Sequence, residues 1–519
     1  MNRMIKRVVV LGGGTAGWIT AGLLAAEHCG ANACGLQVVL VESPDIPVIG
    51  VGEGTWPTIR NTLRKIGLNE TQLFRECDAS FKQGAKFCGW ETGKAGEFYY
   101  HPLMVPEGYG EVDLARGWQE EEVSASFADR VNFQSLLCER GLAPKLMTTP
   151  EYAAIANYAY HINAGKLGKL LARHCQEKLG VVHHRVKIDG VRSHNNGDIA
   201  ALLREGGGEI PGDLFIDCSG SAARLIGQHF QVPFMSCINL LFNNRAVAVQ
   251  VPYARENDPI ASHTIGAAQK GGWIWDIGLP TRKGVGYVYS SAHIEDDAAY
   301  EALRVYLGQC LPAQQVDTLT YRQLTFEPGH RAKFWHKNCV AVGMAAGFVE
   351  PLEASALVLV EMAAAMISDD LPVDRAVMDT IAQRYNRRFE YRWAGIIDFL
   401  KLHYAISKRD DTTYWRDHTR EATTSERLQE WLQLWSRQPP CKHDFPLVEE
   451  VFASASWQYV LYGMGFKTQP RPTRHRAHNT EDYQKLITQN KNFARQCFSA
   501  LPKNRELVEK IQRYGLQRV

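Results

Sequence analysis

Two lysines, Lys82 and Lys86, stand four residues apart in the apolar run Ser80-Phe81-Lys82-Gln83-Gly84-Ala85-Lys86-Phe87. Lysines are ordinarily solvated. A partly buried ammonium, in contrast, can donate a hydrogen bond to a reactive intermediate. Spacing alone does not choose between the two. A second group is Gly347-Phe348-Val349-Glu350-Pro351-Leu352-Glu353-Ala354-Ser355-Ala356, ahead of an Ala-rich apolar segment that runs to Ile367. That pattern predicts a buried helix whose start is capped by Glu353 or Ser355. Free amides at such a terminus also make an anion site, and a carboxylate beside one in a dry cleft is a candidate base. In Gly272-Trp273-Ile274-Trp275-Asp276-Ile277-Gly278-Leu279-Pro280, Trp273 and Trp275 alternate and so share one face of a strand. They serve either as core packing or as a wall between a cofactor and a substrate.

Elements that could position these groups begin at the N-terminal end. Arg7 to Leu11 reads as a buried parallel strand. Gly12-Gly13-Gly14-Thr15-Ala16-Gly17 follows as a G-x-G-x-x-G, then a helix over 18–27, then a second strand over 36–41 ending at Glu42. Gly12 would permit the tight turn, Gly14 the approach of a pyrophosphate, and Gly17 close helix packing. The helix terminus would face the phosphates, and Glu42 would accept from a ribose. The motif predicts a dinucleotide without separating FAD from NAD. FAD is favoured by a late strand, Asp213 to Cys218 with Ser219-Gly220, that follows a glycine-punctuated meander over 181–210. No second complete G-x-G-x-x-G occurs, so a reduced flavin would have to come from elsewhere.

Composition narrows the class. The chain has 519 residues, 45% hydrophobic and 22% charged, which is ordinary for a globular protein. Its net charge of +2 gives no general attraction to nucleic acid or an anionic membrane, and neither is an expected partner. The uncharged run 8–26 resembles a membrane segment, but its five glycines favour strand, turn and helix. The 12 cysteines form no C-x-x-C pair and read as reduced thiols of a cytoplasmic protein. His183 and His184 would face opposite ways on a strand, so no metal site is expected there or elsewhere. The expected class is α/β: a Rossmann-type two-part FAD module with an inserted β-rich substrate region, over 1–384. A mostly helical subdomain over 385–519 would close the substrate site. Residues 467–479 read as an exposed loop and 481–515 as terminal surface helices.

Taken in order, these segments resemble the flavin-dependent halogenases of the tryptophan-halogenase type. The resemblance runs from about Val8 to Tyr462. It rests on Gly12 to Gly17, Gly50-Val51-Gly52-Glu53 with Pro57, Phe81-Lys82 with Lys86-Phe87, Asp213 to Gly220, Trp273 with Trp275, Glu350-Pro351-Leu352-Glu353, and Asp398-Phe399-Leu400-Lys401-Leu402-His403-Tyr404. It implies that FADH2 from a separate flavin reductase, with O2, oxidises bromide or chloride to hypohalous acid, which travels to an electron-rich aromatic ring. Lys82 would be the catalytic lysine, and Glu353 the catalytic carboxylate. Ser355 and Ala356 would hold the halide. Trp273 and Trp275 would keep the flavin site from acting as a monooxygenase. His101 and Trp457 would face the substrate ring. Gly52, Glu53, Val186, Met344 and Leu357 would join Gly12, Gly14, Thr15, Ala16, Gly17 and Glu42 around the cofactor. Two departures stand out: Gly278 and Leu279 precede Pro280, and Ala354-Ser355-Ala356 replaces the usual Ser-Thr-Gly. The family's contacts to the amine and carboxylate of free tryptophan find no match, so indole or an indole-like ring is the expected substrate. A flavin monooxygenase and an inactive flavin-binding relative are the alternatives. A homodimer is compatible by analogy.

Overall fold

The computed structural model describes residues 4–29, 35–45, 53–121, 125–469 and 480–518. Gly52 and the basic loop 470–476 lie outside these.

Strand β1 (Arg7–Leu11) is almost wholly buried and pairs in parallel with β2 (Gln37–Glu42) on one side. On its other side lies Leu214–Asp217, the late strand expected to return the chain to the first unit. Val182–Arg185 and Cys339–Ala341 extend this parallel sheet, and Trp335–His336 closes it as an antiparallel edge. Aliphatic runs suit strands covered on both faces. Helix α1 (Thr15–His28) crosses from β1 to β2 and is buried over most of its length. The turn between β1 and α1 needs its glycines. Gly12 has φ +122°, and a Cβ on Gly17 would lie 1.9 Å from the Gly12 carbonyl oxygen. Gly17→Ala should therefore open the turn, cost about 1–3 kcal/mol and weaken flavin binding. Thermal melts and a flavin titration measure both, and unchanged values would refute this account of the turn.

The meander forms as a separate antiparallel sheet of Ile188–Ser193, Ile199–Arg204 and Glu209–Pro211. The inserted β-rich region is a seven-stranded sheet. Its order is Tyr321–Thr325, Arg245–Val251, Lys283–Tyr289, Gly272–Gly278, Thr264–Gln269, Gly84–Cys88, Phe98–Pro102. A small three-stranded sheet places Ala159–Ile162 between Glu53–Gly54 and Ser80–Lys82. Gly54 and Ser80 both pair with His161, and Lys82 pairs with Ala159.

The C-terminal part is helical, as expected. Its longest helix runs Arg375–Ala405, so the expected boundary at 384/385 falls inside one helix. A single hydrophobic core continues from Val8 through Phe399 to Trp457 and Ile511. The last helix, Asn504–Tyr514, corrects the reading of terminal surface helices. Leu507, Val508 and Ile511 are buried, and the buried Asn504 amide donates to the Phe81 carbonyl oxygen at 3.2 Å. The helix has a strongly one-sided apolar face, which demands a partner. Among the described residues, no helix is long and apolar enough to cross a membrane.

Candidate active site

Lys82 ends the strand Ser80–Lys82 with its side chain 3% exposed. Its Nζ donates to the Thr55 carbonyl oxygen at 3.2 Å and stands 5.9 Å from the centre of the Trp56 ring. Burial pushes its pKa down to about 8, against the pull of Glu353, which favours the charge. His161, in the neighbouring strand, is fully buried with Nδ1 unpartnered and Nε2 on Thr264 Oγ1 at 2.8 Å. Burial, and then the charge of Lys82, push its pKa well down, so it sits neutral beside the lysine. Lys86 has a different fate. It emerges from the next strand to pair with Glu139 at 2.5 Å and to cover the Phe98 ring at 3.9 Å.

Glu353 is also 3% exposed and is clamped by two imidazoles. His101 Nδ1 lies 2.9 and 3.0 Å from its two oxygens, and His403 Nε2 lies 3.2 Å from Oε1. Tyr99 OH bonds His403 Nδ1 at 2.5 Å. Burial works against the charge, but His101 and then His403 outweigh it and hold the pKa at about 2. The long helix supplies this geometry, because Phe399 and His403 are four residues apart and share one face. Tyr404, one residue on, turns to Glu350 instead, at 3.0 Å. Buried Glu350 also accepts from Trp273 Nε1 at 2.7 Å and Asn243 Nδ2 at 2.5 Å. The Trp273 and Trp275 rings are buried neighbours, 6.4 Å apart, on the strand Gly272–Gly278.

The helix Ser355–Asp369 begins differently from the capped start expected. Ala354 is its N-cap, in a left-handed conformation with φ +52°, and no side chain caps the first turn. Neither Glu353 nor Ser355 performs that role: the Glu353 carboxylate is taken by histidines and Ser355 is already helical. The uncapped amides of Ser355, Ala356 and Leu357 remain as candidate donors to an anion. Ser355 and Leu357 are buried, whereas Ala356 is exposed.

The residues around the glycine turn fit an FAD. Helix α1 also starts without a side-chain cap, at Gly14, and a Cβ on Gly14 would meet nothing within 4 Å. That open space lies at a positive helix end, where a pyrophosphate is stabilised. Thr15 is buried, and Ala16 faces Gly343, whose added Cβ would stand 2.9 Å from the Ala16 Cβ. Met344, the next residue, is exposed. The Glu42 carboxylate lies over Gly13 and accepts from His183 Nε2 at 3.0 Å, while Val186 N donates to the Glu42 carbonyl oxygen at 2.9 Å. Glu53 is half-buried, and burial pushes its pKa up to about 7.

The tryptophan halogenase family profile matches residues 7–480. The chain belongs to the tryptophan halogenase family. It is thus a flavin-dependent halogenase, an enzyme. A solved tryptophan halogenase from Shewanella frigidimarina is 48% identical, with each chain covered to 99% or more and a TM-score of 0.96. Xcc4156, a flavin-dependent halogenase from Xanthomonas campestris, is 30% identical over the full length of both chains, with a TM-score of 0.86. The tryptophan 7-halogenase RebH of Lentzea aerocolonigenes is 28% identical over 99% of this chain and all of its own. The α/β architecture read from the sequence is that of these structures.

Within this halogenase, Glu353 lies against His101, and Lys82 is near enough to feel its charge. Trp457 does not meet His101. The ring neighbours of His101 are Trp56, Phe399 and Tyr459. Phe399 touches both His101 and Trp457, at 5.6 and 4.9 Å, and so links the two rings. Sequence reasoning missed roles for Trp56, Tyr99, His161, Phe399 and His403. The segment 398–404 and the pair Phe98-Tyr99 were conspicuous, but without a fold nothing aimed them at Glu353.

Proposed function

We propose that this enzyme brominates or chlorinates an indole-like aromatic, using hypohalous acid delivered through Lys82. The carrying observation is a buried lysine beside a buried, histidine-clamped carboxylate. With FADH2 from a separate reductase bound here, O2 would be the oxidant: two of its oxidising equivalents would be taken by the reduced flavin and two by the halide, which becomes hypohalous acid. Gly12, Gly14, Thr15, Ala16, Gly17 and Glu42 would hold the flavin, with Glu53, Val186, Met344 and Leu357 around it. The amides of Ser355 and Ala356 would hold the halide. Trp273 and Trp275 would wall the organic substrate off from the flavin. Lys82 would then bind the hypohalous acid, either as an ammonium that donates a hydrogen bond or as an amine that carries the halogen. Glu353, ionised throughout the neutral range, would orient the electrophile and take the proton released by the ring. His101 and Trp457 would face the substrate ring, with Phe399 touching both, and the sequence offers no matched contact for a free amino acid's charges.

The test supplies FAD, a flavin reductase, NADH, O2 and indole, with bromide and then chloride, and reads product masses. A halogen isotope pattern is expected. A gain of one oxygen instead would make the protein a monooxygenase, and retained flavin with no product across a panel of indoles would make it inactive. The pH profile separates the two lysine roles. An amine carrier predicts a rate that rises to a plateau above pH about 8, whereas an ammonium donor predicts a fall above it.

A further inference from the structure

Trp56 brings an indole of the chain's own into the space beside Lys82. Its N–H donates to the Glu353 carbonyl oxygen at 2.7 Å, which fixes the ring plane. The ring packs on Phe452 at 5.4 Å and on His101 at 5.8 Å, and its centre lies 5.9 Å from Lys82 Nζ. The residue is only half-buried. The chain has 12 tryptophans, and Trp56 is the one whose ring faces Lys82 among the described contacts. Reacting atoms need a separation of about 3–3.5 Å. A halogen held at Nζ would sit between the amine and the indole and close most of the gap. A tethered ring also has the advantage of an intramolecular partner over a diffusing one.

We propose that Trp56 is an internal acceptor, halogenated by the enzyme itself when no substrate separates it from Lys82. This inference rests on the proposed function. The balanced step is hypohalous acid plus an indole C–H giving an indole C–halogen and water. The ring π pair forms the new bond as the halogen–oxygen bond breaks towards oxygen. The ring carbon then loses its proton, and that proton with the hydroxide leaves as water. The hypohalous acid is reduced by two electrons and the ring oxidised by two. A substrate would protect Trp56 by taking the halogen first, so the modification marks unproductive turnovers.

The experiment runs the enzyme with FAD, reductase, NADH, O2 and bromide, with and without indole, and maps the peptides by mass. The tryptic peptide Val8–Arg60 contains Trp18 and Trp56, and its fragment ions separate them. The expected result is one bromine on Trp56, reduced by indole and absent in Lys82→Ala and Trp56→Phe. Bromine spread over other tryptophans and tyrosines, or retained in Lys82→Ala, would mean free hypobromite and would overturn the proposal. An unmodified Trp56 in a preparation that brominates indole would also overturn it while leaving the proposed function intact. An unmodified Trp56 with no brominated indole would remove both.

Discussion

Lys82→Ala should abolish halogenation, by roughly a thousandfold or more, while flavin binding is unchanged. The substitution removes a single hydrogen bond, to the Thr55 carbonyl oxygen, and lies away from the glycine turn that would hold the cofactor. Stability should move the other way. The folded pKa of about 8 is below the ordinary lysine value of 10.5. Folding therefore disfavours the charged form, at a cost of about 3 kcal/mol. That cost is fully present below pH 8 and fades as pH rises from 8 towards 10.5. Lys82→Met, which fills the same space without charge, should thus melt higher than the parent at pH 7 and lose that advantage at pH 10. A halogenation rate close to the parent's in either variant would end the proposed role of Lys82. Equal melting temperatures at pH 7 would show that the buried ammonium is better solvated than its surroundings indicate.

Glu353→Gln should lower turnover by about a hundredfold and also destabilise the fold. The glutamine keeps the shape but removes the carboxylate oxygens that face His101 and His403. The sign here is opposite to that of Lys82. The Glu353 pKa is depressed to about 2 from 4.5, so its contribution is fully present above pH 4.5 and is lost as pH falls through 2. The contribution is about 3 kcal/mol. The gap in melting temperature between parent and variant should be wide at pH 7 and shrink in acid. A constant gap would assign the loss to packing instead. Unchanged turnover would remove Glu353 from the chemistry.

Local pattern made much of this legible. The β1–α1–β2 unit forms close to its expected bounds because buried strands and a glycine turn are short-range features. Trp273 and Trp275 share a face because strand period requires it. Lys82, Glu353 and Ser355 were recognisable as a family pattern. Their environment was not legible, because it is assembled across long sequence separations. Glu353 meets His101 across 252 residues, and Lys82 meets Thr55 across a sheet whose central strand begins at Ala159. Burial decides that Lys82 is perturbed while Lys86, four residues on, forms an ordinary ion pair. The left-handed Ala354 could not be foreseen either, since alanine carries no signal for that conformation. That Phe399 touches both His101 and Trp457 was not legible either, because aromatic residues crowd this region and only packing selects which rings meet.

The buried amide of Asn504 holds the carbonyl of Phe81, the residue before Lys82. During synthesis, the strand that presents the lysine leaves the ribosome more than four hundred residues before this clasp. A nascent or prematurely terminated chain can already have its nucleotide-binding turn, yet its lysine strand lacks one wall. If Lys82 delivers the oxidant as proposed, the order of manufacture completes the wall behind it last. The glycine turn proposed to retain flavin is synthesised well before the residue that steadies the lysine strand.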